Sequence, residues 1–142
     1  MAFLADVNVL VALLHARHAA SERTIAWLER EAAPREVLIC RVAQMGVLRI
    51  LTNPAWMKED ALPAAEVWQG LDLLLTDDRF ARAPEPPRFE VEWRRLTQSL
   101  PAGRCAGTDF YFAAFARAGG HRLLTLDRDF LDFEQLDVLI PV

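Results

Sequence analysis

Acidic residues follow two short apolar runs of the sequence, each at the place where a buried strand would end. Asp6 comes directly after "FLA" (residues 3–5), while Asp127 and Asp129 follow "RLLTL" (residues 122–126). Aspartate disfavours strands and favours turns and helix caps. If both runs are central parallel strands, these carboxylates emerge at the same edge of the sheet, which is where open α/β sheets bind their ligands.

A third acid and two neutral oxygen donors fall in the same part of the predicted fold. Asp109 lies near the start of the helical segment "TDFYFAAFA", where the helix dipole favours a carboxylate. Asn8 and Thr125 add an amide and a hydroxyl. Three neighbouring carboxylates repel one another unless a divalent cation lies among them. Hard oxygen ligands suit Mg²⁺ or Mn²⁺, and such an ion can polarise a phosphodiester and activate water.

Each of these acids also has a purely structural interpretation. Asp6 can turn the chain before a helix, and Asp127 with Asp129 can form an Asx-turn. Thr108 and Asp109 both suit a helix cap. The joint pattern favours chemistry over these alternatives, because three separate segments place acids at one edge of the predicted sheet.

Length and composition indicate one globular domain that spans residues 1–142. The chain is 53% hydrophobic, which argues against disorder. Its apolar runs are too short to span a bilayer, and its first residues lack the basic start of a signal peptide, so we expect a cytoplasmic protein without a membrane segment. The net charge of −4 does not indicate nucleic-acid binding by itself.

The basic residues are almost all of one kind. Lys58 is the only lysine among 16 basic residues. Arginine binds phosphate with a planar fork, but codon bias in a GC-rich genome explains the same excess. Cys40 and Cys105 lack metal-site spacing and are predicted to be free, buried thiols. His15 and His18 lie three apart on a predicted helix and could share a face, although surface positions are the more ordinary interpretation.

The hydrophobic patterning predicts strands that alternate with helices. Strands are predicted over residues 3–5, 36–40, 122–126 and 136–142, and helices over residues 8–18, 21–32, 41–53, 63–77, 88–100 and 106–120. The Pro-rich segment "RAPEPPRF" (residues 82–89) is predicted to be a loop. This alternation predicts an α/β sandwich with a mostly parallel central sheet.

Three segments of the chain together resemble a known family. The segments "LADVNVLVALL" (residues 4–14), "TDFYFAAFARAGGHRLLTLDRDF" (residues 108–130) and the terminal "LIP" resemble the PIN-domain nucleases, and most of all the VapC-type toxins of bacterial toxin–antitoxin pairs. The segment "CRVAQMGVLRILTNPA" (residues 40–55) is similar to one found in a subgroup of these toxins.

The resemblance implies a three-layer α/β/α sandwich and a Mg²⁺- or Mn²⁺-dependent endoribonuclease that acts on tRNA or another structured RNA. It implies that Asp6, Asp109 and Asp127 are the catalytic metal ligands. Asn8, Thr125 and Asp129 match residues that support the family's site. It further implies a cognate VapB-type antitoxin and a homodimer.

One position departs from the pattern of the family. A glutamate is usual in the helix after the second strand, and Gln44 occupies that position here. Either Gln44 is a weaker, neutral ligand or metal binding is impaired. The second alternative makes the chain a catalytically impaired module that binds RNA or protein. Five residues further on, Arg49 could contact phosphate or the partner, or lie on a solvated helix face.

Other contacts with RNA and antitoxin are also implied. Trp56 and the arginines of residues 79–95 could line an RNA groove. Leu13, Leu14 and Trp27 could contact the antitoxin, although core packing is the simpler interpretation. A phosphoacceptor domain, also built on acids at strand ends, would need a lysine near the last strand, and Lys58 is the only one.

Overall fold

A sheet of five parallel strands runs through the protein in a computed structural model that describes residues 2–142. The strands are β1 (Phe3–Ala5), β2 (Val37–Ile39), β3 (Phe80–Arg82), β4 (Arg122–Leu124) and β5 (Val138–Leu139). Their order across the sheet is β3-β2-β1-β4-β5, and every neighbouring pair is parallel. β1 is therefore the central strand, and all carboxyl ends point to one edge.

Helices cover both faces of this sheet. The helices are α1 (Val7–Leu14), α2 (Ser21–Glu31), α3 (Arg41–Leu51), α4 (Pro54–Met57), α5 (Ala64–Thr76), α6 (Phe89–Thr97) and α7 (Thr108–Gly119). Short 3-10 turns span Lys58–Asp60 and Arg128–Asp132. From β1 to β3 each new strand is added on one side of β1, while β4 and β5 are added on its other side. Because crossovers between parallel strands are right-handed, this reversal places α1–α5 and α6–α7 on opposite faces of the sheet. This is the predicted α/β/α sandwich.

The core fills both interfaces between sheet and helices. Leu4 and Leu123 are fully buried on adjacent central strands, and Phe112 of α7 is 1% exposed. Phe3 meets Trp27 of α2 edge to face, with ring centroids 5.0 Å apart. Strands that are buried on both faces consist of nearly continuous apolar runs, which is why the central strands were recognisable from so few residues.

One strand was missed by the sequence prediction. Residues 80–82 form β3, which pairs with β2 in the register Ile39↔Arg82. Arg82 was assigned to the Pro-rich loop, but it is the last residue of this strand. The strand has only three residues, lies at the edge of the sheet, and ends in a charged residue beside three prolines, so patterning could not separate it from the loop.

Two smaller expectations were also wrong. α1 ends at Leu14 because His15 adopts an extended backbone as its C-cap, so His15 and His18 do not share a helix face. His18 instead accepts a hydrogen bond at Nδ1 from the Ala20 N–H. Cys40 is buried as predicted, but Cys105 is exposed in the loop before α7.

Within residues 2–142, the helices are all too short or too polar to cross a bilayer.

The contact between α1 and α3 depends on Gly46. A Cβ atom added at Gly46 would lie 2.5 Å from Cγ2 and 2.9 Å from Cγ1 of Val7. Val7 is β-branched and stiff, so we expect Gly46→Ala to lower the free energy of unfolding by about 1–3 kcal/mol. Urea denaturation measures this change. In a Val7→Ala background both Cγ atoms are absent and only the Cβ atom of residue 7, at 3.3 Å, remains close, so the same substitution should cost much less and be offset in part by about 1 kcal/mol of helix propensity. Equal effects in both backgrounds would contradict this explanation.

Candidate active site

Two adjacent strands bring distant parts of the sequence together at the carboxyl edge of the sheet. β1 and β4 pair in the register Ala5↔Leu124, so the residues after each strand are neighbours. The Asp6 N–H donates to the Leu124 carbonyl over 2.9 Å. The convergence that the sequence predicted for the residues after these strands is therefore present for Asp6 and Thr125.

Thr125 is the centre of the hydrogen-bond network at this edge. Its side chain is completely buried, and its hydroxyl donates to Asp6 Oδ2 over 2.7 Å. The same oxygen accepts from the Asp127 N–H at 3.0 Å and from Asn8 Nδ2 at 3.4 Å. One hydroxyl therefore orients residues from both strand ends.

Asp6 is a buried carboxylate with few compensating contacts. Its side chain accepts from Thr125 and, over 2.7 Å, from the Val7 N–H at the start of α1. Burial raises the pKa of Asp6 above its ordinary value of 3.8, and these two hydrogen bonds lower that pKa only in part. The charges of Asp127 and Asp109 raise it further. Both other carboxylates that were predicted to converge thus act on Asp6 in the folded protein.

Asp127 forms the turn predicted as its structural role, and its charge also acts on another acid of the site. Its Oδ1 accepts from the Asp129 N–H over 2.9 Å, which is the predicted Asx-turn and caps the 3-10 turn. Its charge nevertheless acts on Asp6. Asn8 holds the same loop, since its Oδ1 accepts from the Leu126 N–H at 3.1 Å.

Asp109 lies in the first turn of α7 and is exposed. The N-cap of this helix is Gly107, and no side chain caps it. The helix-cap interpretation of Thr108 and Asp109 is therefore wrong. The Asp109 carboxylate remains free of a capping hydrogen bond, and its charge acts on Asp6.

The acids of the site lie too far apart to form a closed metal site by themselves. No three histidine, cysteine, aspartate or glutamate side chains in the described part of the chain form a ready-made cage for an ion. The donors are hard carboxylate oxygens, however, and the repulsion that raises the pKa of Asp6 is relieved by a cation. Mg²⁺ is commonly held by one or two carboxylates together with waters and substrate phosphates, so this donor set suits it.

Comparison with known proteins decides the family. The family model described as "PIN domain" matches residues 3–136. The chain belongs to the PIN domain family. This PIN domain is 32% identical to the ribonuclease VapC41 of Mycobacterium tuberculosis over 139 residues, which cover 95% of each chain. The recognition of a VapC-type PIN domain is thereby confirmed.

Solved structures share the fold at low sequence identity. One is VapC20 of Mycobacterium tuberculosis, described as a sarcin-ricin loop cleaving toxin, with a TM-score of 0.65, 13% identity and coverage of 92% of this chain and 93% of that one. Another is a toxin–antitoxin complex from Klebsiella pneumoniae, with a TM-score of 0.63, 19% identity and coverage of 100% and 98%.

The position where PIN domains usually carry a glutamate has an unexpected partner here. Gln44 of α3 is buried, with 4% of its surface exposed. Its Oε1 accepts a hydrogen bond from Arg41 Nη1 over 2.8 Å. The amide oxygen that was expected to contact a metal is thus already engaged by a guanidinium.

One cavity of this PIN domain borders the acids, and a second lies at the ends of two neighbouring strands. The larger, about 680 Å³, lies beside α7, and its walls include Asp109, Asp129 and the guanidinium-bearing Arg104. The smaller, about 370 Å³, lies at the ends of β2 and β3. It is lined by Ile39, Arg41, Gln44, Arg82, Ala83 and Pro84, and we refer to these six residues as the arginine pocket.

Sequence reasoning placed Arg82 among the arginines of residues 79–95 that could line an RNA groove, but it missed Arg41 and the pocket that both arginines line. Arg41 follows β2 by two positions, and Arg82 ends β3. The rule that ligands bind beyond the carboxyl ends of parallel strands would have found Arg41. It could not find Arg82 without β3.

Arg49 lies near Trp56 and also lines a separate groove. The Arg49 guanidinium carbon is 6.0 Å from the ring centroid of Trp56, whose side chain is 59% exposed. Arg49 also lines an apolar groove of about 430 Å³ with Met45 and Val7. Trp27 is 4% exposed and belongs to the core, so it cannot contribute to an antitoxin surface.

Proposed function

We propose that this protein is a metal-dependent endoribonuclease toxin that hydrolyses phosphodiester bonds of structured RNA, such as tRNA. The observation that carries the proposal is the network in which buried Asp6 accepts from Thr125, with the charges of Asp127 and Asp109 acting on it. The name ribonuclease VapC41 of the 32% identical relative supports the activity. The RNA target of VapC20, named as the sarcin-ricin loop, supports structured RNA as the substrate class.

Asp6, Asp109 and Asp127 would hold Mg²⁺ or Mn²⁺, with Asp129 as an accessory acid. When bound, the ion supplies Lewis-acid polarisation of the phosphodiester and lowers the pKa of water. Gln44 is a weaker candidate for this shell than the sequence implied, because its Oε1 faces Arg41.

The side chains of the chain itself set the geometry of the reaction. Thr125 holds the Asp6 carboxylate and the Asp127 backbone in fixed relation, and Asn8 fixes the loop that carries Asp127. Burial around Asp6 excludes water from one side of that carboxylate. A preorganised site of this kind pays little reorganisation when charge develops in the transition state.

The proposal includes a regulatory partner. An uninhibited ribonuclease would damage its host, and the solved toxin–antitoxin complex from Klebsiella pneumoniae has the same fold. We therefore propose that a cognate VapB-type antitoxin neutralises this protein, and that it works in the cytoplasm as a homodimer.

Metal-dependent cleavage of RNA is the direct test. Purified, antitoxin-free protein should cut a pool of tRNA and other structured RNAs in Mg²⁺ or Mn²⁺ and fail to cut in EDTA. Asp127→Asn should lose at least about 100-fold of this activity. Asparagine retains the oxygen that accepts from the Asp129 N–H, so the turn survives and only the charge is lost.

A matched control removes an acid from the same 3-10 turn. Asp132 is exposed there and is not among the charges that act on Asp6, so Asp132→Asn should cut at the wild-type rate. Metal-independent cutting that Asp127→Asn leaves unchanged would contradict the mechanism. No cutting by folded wild type in either metal would favour the alternative, a PIN domain that binds RNA or protein without catalysis.

A further inference from the structure

We propose that the arginine pocket binds a backbone phosphate of the RNA next to the scissile bond. This inference rests on the proposed function, because it assumes an RNA substrate. It assigns Arg41 and Arg82 as phosphate-binding residues and Gln44 as the residue that positions Arg41. Where the usual glutamate would contact a metal ion, Gln44 would then position a phosphate-binding arginine.

The first argument is the charge of the pocket. Arg41 and Arg82 are exposed at its walls. Neither forms an ion pair with a carboxylate of residues 2–142, and no acidic residue lines the pocket. Two guanidinium groups around one concave space favour an anion, and arginine matches phosphate with a planar fork.

The second argument is the state of Gln44. Its neutral amide holds the Arg41 guanidinium without cancelling its charge. Gln44 is nine-tenths buried and lines the pocket, and its Nε2 donates to no described residue. A glutamate here would form an ion pair with Arg41, so the glutamine keeps both a free positive charge and a free N–H donor in the pocket.

The third argument is the place of the pocket in the sheet. β2 is the neighbour of β1, and β3 is the next strand out. Because neighbouring strands lie about 5 Å apart, the pocket at the ends of β2 and β3 lies about 5–10 Å from β1, the strand that precedes Asp6. Successive phosphates of a nucleic-acid strand lie within a few ångströms of one another, about 3.4 Å along the axis for each strand of duplex DNA. A strand with its scissile phosphate at Asp6 can therefore place a neighbouring phosphate over Arg41 and Arg82.

The test is RNA binding without divalent ions, measured separately from cleavage. Fluorescence anisotropy follows a labelled single-stranded RNA of about 12 nucleotides in EDTA over a series of NaCl concentrations. Arg41→Ala and Arg82→Ala should each weaken binding about tenfold at low salt, and each should reduce the slope of log affinity against log salt by about 0.7. Oligouridylate and oligoadenylate should be affected equally, because a phosphate contact carries no base information.

The matched control is Arg23→Ala, which removes an exposed arginine of α2 that also forms no ion pair within residues 2–142. This variant should bind RNA as the wild type does. Equal affinity of the wild type, Arg41→Ala and Arg82→Ala would overturn the proposal, and so would a wild type that binds no RNA at low salt. Among the described residues, Gln44 accepts its side-chain hydrogen bond from Arg41 and not from Arg82, so Arg82→Ala remains informative if Arg41→Ala fails to fold.

Gln44→Glu separates the phosphate role from a metal role. We expect this variant to lose RNA affinity and salt slope as Arg41→Ala does, since the carboxylate would neutralise Arg41. Unchanged RNA affinity in EDTA, together with cleavage at lower Mg²⁺ concentration, would assign position 44 to the metal and overturn the proposal. Failure of the proposed function would appear elsewhere, as absence of metal-dependent cutting by the wild type.

Discussion

Asp6→Asn is expected to abolish RNA cleavage and, at the same time, to change how the stability of the protein depends on pH. Cleavage should fall by at least about 100-fold, because the variant lacks the one buried carboxylate of the site. Asparagine keeps the size of the side chain and one acceptor oxygen for the Val7 N–H. The loss of activity should therefore not come from unfolding.

The pH effect follows from the raised pKa of Asp6. Burial makes the folded protein hold the Asp6 proton more tightly than the unfolded chain does. The stability that this proton contributes is present below the ordinary carboxyl pKa of 3.8 and is lost as pH rises through the raised folded value. Asparagine has no such proton. The free energy of unfolding of Asp6→Asn relative to wild type should therefore increase as the pH rises above 3.8, and it should level off above the raised pKa of folded Asp6.

Urea denaturation at several pH values measures this difference, with Asp132→Asn as the control for an exposed acid. That control removes no buried carboxylate and should not reproduce the trend of Asp6→Asn. A relative stability of Asp6→Asn that is constant with pH would mean that Asp6 is not destabilised by burial in the folded protein. Cleavage at the wild-type rate would remove Asp6 from the mechanism.

Thr125→Val should produce the second large effect. Valine fills nearly the same volume but removes the hydroxyl that donates to Asp6 and accepts from the Asp127 N–H. Because Thr125 is fully buried, the partners left without hydrogen bonds should cost about 1–3 kcal/mol of unfolding free energy. Cleavage should fall by about 10–100-fold, as is typical when a residue that orients the acidic ligands is lost.

Thr125→Ser is the matched control because serine retains the hydroxyl. It should recover most of the cleavage rate and most of the stability, apart from the small cost of one missing methyl group. Thermal unfolding and cleavage of the same RNA pool give both quantities. Equal behaviour of the valine and serine variants would show that the hydroxyl has no role in positioning Asp6.

The order of motifs along the chain was enough to predict the family, the sandwich and the acidic edge. Apolar runs buried on both faces of the sheet reveal the central strands even when they have three residues. Asp6 stands directly after β1, and Asp127 follows β4 after Thr125 and Leu126. These are local signals. The C-terminal boundary of α7 at Gly120, in the left-handed conformation at φ 67°, is a local signal of the same kind.

Only the tertiary structure decided which side chains contact one another at that edge. Thr125 contacts Asp6 across 119 positions of sequence, and Arg82 reaches the site only because β3 pairs with β2. Arg41 engages Gln44, although residue types alone suggested a metal ligand. Such contacts depend on strand register and on which of several possible donors forms the hydrogen bond to a given oxygen. Neither property can be deduced from a short stretch of sequence. The sequence by itself therefore determined where the acids lie. The fold determined which groups hold them in place, and it placed Arg41 and Arg82 in one pocket.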